Sequence, residues 1–334
     1  MLKYIIKRLL QSLLILFGVS VILYIIIRCM PVDFVANKIA QISAGGNVVS
    51  EEFEKTLREN YGLTDNTFLG ILEGYFNWLG KLCRMDLGMS FSVQGHSVVD
   101  VIKENMGVSF AVALIATIFE FMIAIPLGIT AATHQYSLRD YFVTVMAMIG
   151  VALPSFFFAQ MLRGAVAVDP LNWFPYSGLA NAQTAGTLNF FEEMLDYAHH
   201  LALPITVMVI LSIGGRMRMT RTNMLEVLNS DYIRTARAKG CKESVVIYKH
   251  AFRNTMIPLV TSLAGLLPSL FSGSIIIEQL FDLPGIGNVA YKAMIGADIP
   301  LIMGYNMFLA LLSVIGVLLS DLMYAVVDPR VKLA

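Results

Sequence analysis

Charged side chains are scarce in this sequence. Asp, Glu, Lys and Arg make up 14% of its 334 residues, against about 25% in soluble domains, which points to a membrane protein. The 24 Lys and Arg balance the 24 Asp and Glu, so net charge gives no reason to expect a polyanionic partner. Cysteine is nearly absent. Cys29, Cys83 and Cys241 form no C-x-x-C pair, which argues against a disulfide framework or a zinc site and leaves three isolated, apolar-like thiols. No G-x-x-x-x-G-K-S/T phosphate loop occurs, so the chain cannot bind ATP in that way. No catalytic triad or acid–base pair stands out, and no alternating segment of about ten residues repeats as a β-barrel would require.

What is abundant is apolar surface: 57% of the residues are hydrophobic and the mean hydropathy is +0.69. A membrane helix needs about 20 apolar residues to cross roughly 30 Å of hydrocarbon. Six stretches qualify or nearly do: 9–27, 105–133, 141–162, 197–215, 254–277 and 299–327. The first holds 19 residues without a charge. That exceeds the roughly 7–15 residues of a signal-peptide core, and no small-x-small cleavage site follows, so it reads as a retained span. Glu120 interrupts the second stretch, Asp321 the sixth, and His199 and His200 open the fourth. Pro126, Pro154, Pro204, Pro258 and Pro268 are tolerable in a bundle whose neighbours satisfy the freed backbone groups.

Lys and Arg near the span ends set orientation. Lys3, Lys7 and Arg8 precede the first span. Arg216, Arg218, Arg221 and six further basic residues lie between the fourth and fifth, and Arg330 and Lys332 follow the sixth. Residues 169–196 hold no Lys or Arg, and 281–300 only Lys292. The N-tail, the 216–255 loop and the C-tail are therefore expected in the cytoplasm. Residues 30–104 are expected outside as a small helical segment with a turn at Gly45–Gly46.

The charge concentrates in RTARAKGCKESVVIYKHAFRN, residues 234–254, which carries Arg234, Arg237, Lys239, Lys242, Lys249 and Arg253. A helix over 217–238 should end at Gly240, where the backbone can turn left-handed and Lys239 meets the negative end of the helix dipole. A second helix over 243–253 would align Val245, Tyr248 and Phe252 on one face. Two readings fit: an element inserted into a partner's groove, with Ala236, Ala238 and Gly240 allowing close approach, or a basic segment lying on anionic lipid. A nucleic-acid partner is disfavoured, because the patch is tethered beside two membrane spans.

The longer run DYIRTARAKGCKESVVIYKHAFRNTMIPLVT resembles the cytoplasmic loop of binding-protein-dependent ABC importer permeases. It is most similar to the peptide and nickel permease family in its first-of-pair, permease B form. That family reads approximately Y-x-R-T-A-R-A-K-G and then H-A-x-R-N-x-x-x-P. The match falls on Tyr232, Arg234, Thr235, Ala236, Arg237, Ala238, Lys239, Gly240, His250, Ala251, Arg253, Asn254 and Pro258. The segments MLKYIIKRLLQSLLILFGVSVI, DLGMSFSVQGHSVVDVI, IIIEQLFDLPGIGNVAYKAM and DLMYAVVDPR are similar to family counterparts as well. Residues 30–104 and FFFAQMLRGAVAVDPLNWFP, with its Arg163, depart from the pattern.

The resemblance implies an all-α membrane protein of the type I ABC importer permease fold, with six transmembrane helices. It divides the chain into an N-tail and first helix (1–30), an external segment (31–104), a permease core (105–327) containing the cytoplasmic coupling loop (216–255), and a cytoplasmic tail (328–334). It implies a non-catalytic subunit of the cell membrane with no cofactor of its own, ATP being bound by partners. Those partners would be a second homologous permease, two cytoplasmic ATPase subunits, an extracellular or periplasmic substrate-binding protein, and membrane lipid. The residues Tyr232, Arg234, Thr235, Ala236, Arg237, Ala238, Lys239 and Gly240 would grip the ATPase. Peptides are the implied cargo, with nickel or another small solute as the alternative. An ion-coupled secondary transporter would show inverted repeats with broken helices, and a membrane-bound enzyme would cluster His, Cys or carboxylates in its spans; the sequence has neither.

Charges inside spans are functional candidates by default. Glu120 is a candidate to face the pore and meet a peptide amino group, or else to be satisfied by a neighbouring helix. Arg163 lies about 33 Å along a straight third helix, which suggests snorkelling at the outer interface or attraction of a peptide carboxylate. Glu278 and Asp321 are expected to cap or pair near span ends. A metal site at His199 and His200 is not expected, for want of accompanying ligands.

Overall fold

The computed structural model describes residues 2–29, 33–44, 50–60, 68–93, 95–168, 170–181 and 187–327. The chain forms two compact units, one of Met1–Met106 with Val289–Val314, the other of Gly107–Asn288 with Ile315–Ala334.

The first unit holds α1 (Leu2–Cys29), α2 (Phe34–Ala44), α3 (Glu51–Asn60) and α4 (Phe68–Cys83). Asp33 starts α2 by accepting the N–H groups of Val35 (2.9 Å) and Ala36 (3.4 Å). Ser50 starts α3 by accepting from Phe53 N–H, and Glu51, Glu52 and Glu54 face the positive end of that helix. The expected helical character of 31–104 is therefore present, while the Gly45–Gly46 turn lies outside the described residues. α4 runs beside α1, with the Ser20 and Tyr75 hydroxyls 2.9 Å apart and Tyr24 packed on Tyr75 and Trp78. Asp298 is fully buried, and its carboxylate accepts from Ser90 Oγ (2.6 Å), Ser92 N–H (2.8 Å), Ser92 Oγ (2.6 Å) and Leu301 N–H (3.2 Å). That carboxylate ties the 90–92 turn to the start of α15 (Ile299–Val327), which follows α14 (Ile286–Gly296).

The second unit is built on α5 (Val98–Thr133) from Gly107 onward, α6 (Leu138–Ala152), α7 (Ser155–Val166) and α8 (Phe190–Leu228). Pro126 and Pro204 stay inside α5 and α8. Four helices are long and apolar enough to cross a membrane among the described residues: Ile6–Ile27, Val98–Thr133, Phe190–Leu228 and Ile299–Asp321.

The other two expected spans are not single helices. Residues 141–162 break at Leu153–Pro154, where both residues are extended (ψ 130° and 131°), and α6 and α7 meet at 102°. Proline disfavours helical geometry in the residue before it. Neither helix, at about 22 and 18 Å, crosses the hydrocarbon alone. Residues 254–277 divide among α11 (Phe252–Ala264), α12 (Leu267–Ser272) and α13 (Ile275–Leu280). Gly273, with φ +67°, separates α12 from α13.

α6 packs on α8 through glycine. A Cβ on Gly214 would collide with the Ala147 carbonyl and Val151, and one on Gly150 would lie 2.5 Å from the Ile210 carbonyl. Small residues let helix backbones approach in a membrane, where apolar burial drives little association. Beside this contact Asp140, 4% exposed, takes the Arg221 guanidinium at 2.9 Å (Nε) and 2.8 Å (Nη2).

Candidate coupling site

α8 ends at Leu228, ten residues earlier than the continuous 217–238 helix expected from composition. Asn229 and Ser230 make the break. The Asn229 side chain donates to the Leu225 carbonyl (2.9 Å), the Ser230 hydroxyl donates to the Val227 carbonyl (2.6 Å), and Ser230 is extended. Such residues offer the backbone an alternative to helix. The basic motif then forms a separate short helix, α9 (Asp231–Ala238).

Gly240 ends α9 as the sequence requires. Its φ is +76°, its N–H donates to the Arg237 carbonyl (2.9 Å), and Cys241 N–H donates to the Ala236 carbonyl (3.3 Å). This pair of bonds is the Schellman ending, whose left-handed position favours glycine. The chain re-enters helix at α10 (Glu243–Val245) and passes through a π-helical turn, Val246–Ala251, into α11. The π turn overrules the expected face of Val245, Tyr248 and Phe252. Val246 and Ala251, five apart, are buried instead, while Val245 and Tyr248 are exposed, because a π turn closes over five residues rather than four.

α9 has one buried and one free face. Ile233 and Ala236 sink into a cluster with Ile129 and Ala132 of α5, Met224 of α8, and Val246 and Ala251. Ala236 is therefore part of the helix's footing and not of the open face expected to allow close insertion. Tyr232, Arg234, Thr235, Arg237, Ala238, Lys239 and Gly240 are all exposed. Tyr232 Oη accepts from Asn254 Nδ2 at 2.7 Å, joining α9 to α11. Arg237 Nη2 donates to Glu243 Oε1 at 2.7 Å across the Gly240 bend, and Arg234 lies 3.7 Å from Asp231. Arg237 holds the Glu243 carboxyl below its usual range, and Glu243 raises the Arg237 guanidinium. Sequence reasoning missed the Arg237–Glu243 bridge, although the six-residue spacing across a glycine bend was its signal.

The intramembrane candidates are not free charges. Glu120 Oε1 accepts from Arg216 Nε at 3.0 Å, Arg216 Nη1 donates to Ser262 Oγ at 3.2 Å, and the guanidinium stacks 4.4 Å from the Phe121 ring centre. Arg216 thus serves partners on two other helices. Arg163 does not snorkel. The α6–α7 bend removes the straight-helix arithmetic, and the side chain is 8% exposed. It donates to the Leu280 carbonyl and to Gln160 Oε1 (2.6 Å), and lies 4.0 Å from the Tyr176 ring centre. The C-terminal carbonyl of a helix, α13, supplies the negative end it needs. Glu278 is buried and accepts from Ser109 Oγ (2.7 Å), Ser274 N–H (3.1 Å) and Asn288 N–H (3.0 Å), a pairing of three segments as expected of a buried acid. His199 and His200 bond to the Trp173 and Asp196 carbonyls, and no metal-binding group occurs among the described residues.

Helices long and apolar enough to cross a membrane, with charges paired between them, define an integral membrane protein. The chain belongs to the family of binding-protein-dependent transport system inner membrane components. Residues 124–333 match that family, and residues 1–113 match the N-terminal region of the same membrane components. It is 36% identical to the oligopeptide transport system permease protein AppB of Bacillus subtilis (strain 168), over 99% of this chain and all of AppB. It is 33% identical, over 98% of each chain, to a putative peptide transport system permease protein of Brucella abortus (strain 2308). A solved structure of the MetNI methionine ABC transporter in inward facing conformations shares the fold at TM-score 0.53 and 15% identity, over 69% of this chain and 97% of the other. The chain is accordingly a non-catalytic, multi-pass permease of the inner membrane, working with a binding protein and an ATPase.

Proposed function

We propose that this chain is the first-of-pair permease of an ATP-driven peptide importer and that α9 is where the ATPase engages it. The observation that carries the proposal is the division of α9 into an exposed basic face and a buried footing shared with α5, α8 and the π turn. A load applied to the exposed face is delivered at once to three elements of the core. The peptide cargo follows the names of the relatives. In this reading Tyr232, Arg234, Thr235, Arg237, Ala238, Lys239 and Gly240 touch the ATPase, and Ala236 sets the height of the helix. A second homologous permease completes the pore, two ATPases act below and an external binding protein delivers the peptide. The bent α6–α7 pair and the α11–α13 series count as crossings three and five, which returns both termini to the cytoplasm. Residues 31–104 form the external segment, 105–327 the core and 328–334 the tail; the coupling loop, read from the sequence as 216–255, begins only after α8 ends at Leu228, which leaves Arg216 in the bundle. Glu120, paired with Arg216, lines the path. Arg163 positions the 166–179 loop against α13 and takes no part in binding cargo.

The test is Gly240→Asp in the assembled transporter. A left-handed backbone costs a non-glycine residue about 1–2 kcal/mol, too little to unfold the chain, and a Cβ at Gly240 meets open space. The variant should reach the membrane and assemble, with ATP hydrolysis retained and peptide uptake per ATP at least about tenfold lower, a coupling loss of roughly 1.4 kcal/mol or more. Normal uptake would overturn the docking role of α9.

A further inference from the structure

The first unit contains a cavity of about 330 Å³ with no residue of the coupling loop in its lining. Its walls come from the last turns of α1, from α4, from the 86–91 turn and from the first turn of α15. Tyr24, Ile27, Trp78 and Met303 make it mainly apolar and aromatic, while Asn77 and Lys81 bring polar groups to it. We propose that this cavity binds the headgroup and glycerol of an anionic phospholipid from the outer leaflet.

Three observations converge on that occupant. The first is depth. The cavity lies at the end of α1 opposite Lys7 and Arg8, which, on the orientation proposed above, puts it at the outer interface. Tyr and Trp concentrate at such interfaces because one part of the ring system is apolar and another polar. Tyr24, Tyr75 and Trp78 form one aromatic group there. The second is the form of α4. Its 16 residues span about 24 Å, too short to cross, yet it leaves Phe76 and Leu72 exposed. On the same orientation, an apolar helix laid along the outer half of a span, with apolar side chains still uncovered, is bathed by lipid. The cavity therefore adjoins the bilayer and not an aqueous passage.

The third is charge. Lys81 is exposed at the C-terminal turn of α4, and among the described residues it pairs with no carboxylate. Asp86, the acidic group of the lining, is engaged by Gly88 N–H at 2.9 Å and shapes the 86–88 turn. A lysine beside an aromatic, partly apolar hollow suits a phosphate on a glycerol stem. The volume sits at the low end of the roughly 300–1,000 Å³ of small-molecule sites, which fits a headgroup and leaves the acyl chains in the bilayer.

The test uses the assembled transporter, reconstituted with equal amounts of phosphatidylglycerol and phosphatidylcholine, then extracted in detergent, with retained lipid counted by native mass spectrometry. Phosphatidylglycerol should be retained in preference. Lys81→Gln should lower its retention about fivefold, the scale of one lysine near an anionic surface. Gly74→Leu, which fills the cavity from α4, should do the same without touching the charge. Millimolar glycerol 3-phosphate should not displace the lipid. Equal retention of the two lipids would overturn the proposal, as would retention unchanged in both variants. Displacement by glycerol 3-phosphate would overturn it in favour of a soluble phosphate ligand.

Discussion

Replacing Asp140 by Asn isolates what one buried ion pair contributes to this bundle. The carboxylate accepts both Arg221 bonds, the Tyr136 N–H at 3.0 Å and the Thr144 hydroxyl at 3.3 Å. Asparagine keeps one acceptor and turns an NH2 toward a guanidinium, so a cation is left beside a donor. Removing one partner of a buried pair costs about 3–5 kcal/mol. The Arg221 side chain is 25% exposed, so water relieves part of that cost, and about 2–3 kcal/mol is expected. At roughly 2–4 °C per kcal/mol, the midpoint for heat-induced loss of the monodisperse peak in size-exclusion chromatography should fall by about 5–10 °C. Thiol-reactive dyes are a poor readout, since Cys29, Cys83 and Cys241 are all exposed before unfolding. The double variant Asp140→Asn with Arg221→Gln should recover much of the loss, because no unpaired charge remains. A single variant within about 1 °C of the parent, or a double variant as unstable as the single, would refute the argument that this pair joins α6 to α8.

Two further outcomes follow from the same packing and from the loop. Gly214→Leu should abolish folding into a monodisperse protein, since its side chain would meet the Ala147 carbonyl and Val151, whereas Gly215→Leu, with nothing within 4 Å, should be tolerated; equal behaviour of the two would remove close backbone approach as the reason for Gly214. Because Arg237 lowers the Glu243 pKa, the bridge stabilises the loop fully above about pH 4.3, the unfolded value, and that contribution is lost as pH falls through the lower folded value. With the two side chains 45% and 56% exposed the effect on stability stays below about 1 kcal/mol; a carboxyl NMR titration should show Glu243 moving back toward the ordinary range in Arg237→Gln, and an unchanged midpoint would show that the bridge does not persist in solution.

The coupling loop shows how far local chemistry reads out of sequence. The left-handed ending at Gly240 depends on a few consecutive residues and was legible, as were the helical content of the described part of residues 31–104 and the 299–327 bounds of α15. The α8–α9 break was signalled by Asn229-Ser230-Asp231, yet helical composition on both sides concealed it. The buried face of 243–253 was not legible, because the π turn exists only where Val246 and Ala251 must both reach the cluster beneath α9.

The sequence by itself determined that this is a membrane permease: apolar length marks four helices long enough to cross, and a fixed motif marks the loop. These are short-range properties, complete within one segment and its exposure to water or lipid. Tertiary structure decided which charges neutralise which. Glu120 meets Arg216 across 96 positions and Asp140 meets Arg221 across 81, while Arg163 turns inward to a helix end. Those pairings depend on how each helix is rotated and where α6 bends into α7. In a low-dielectric bundle an unpaired charge is costly, so packing must bring partners together that no spacing along the chain announces.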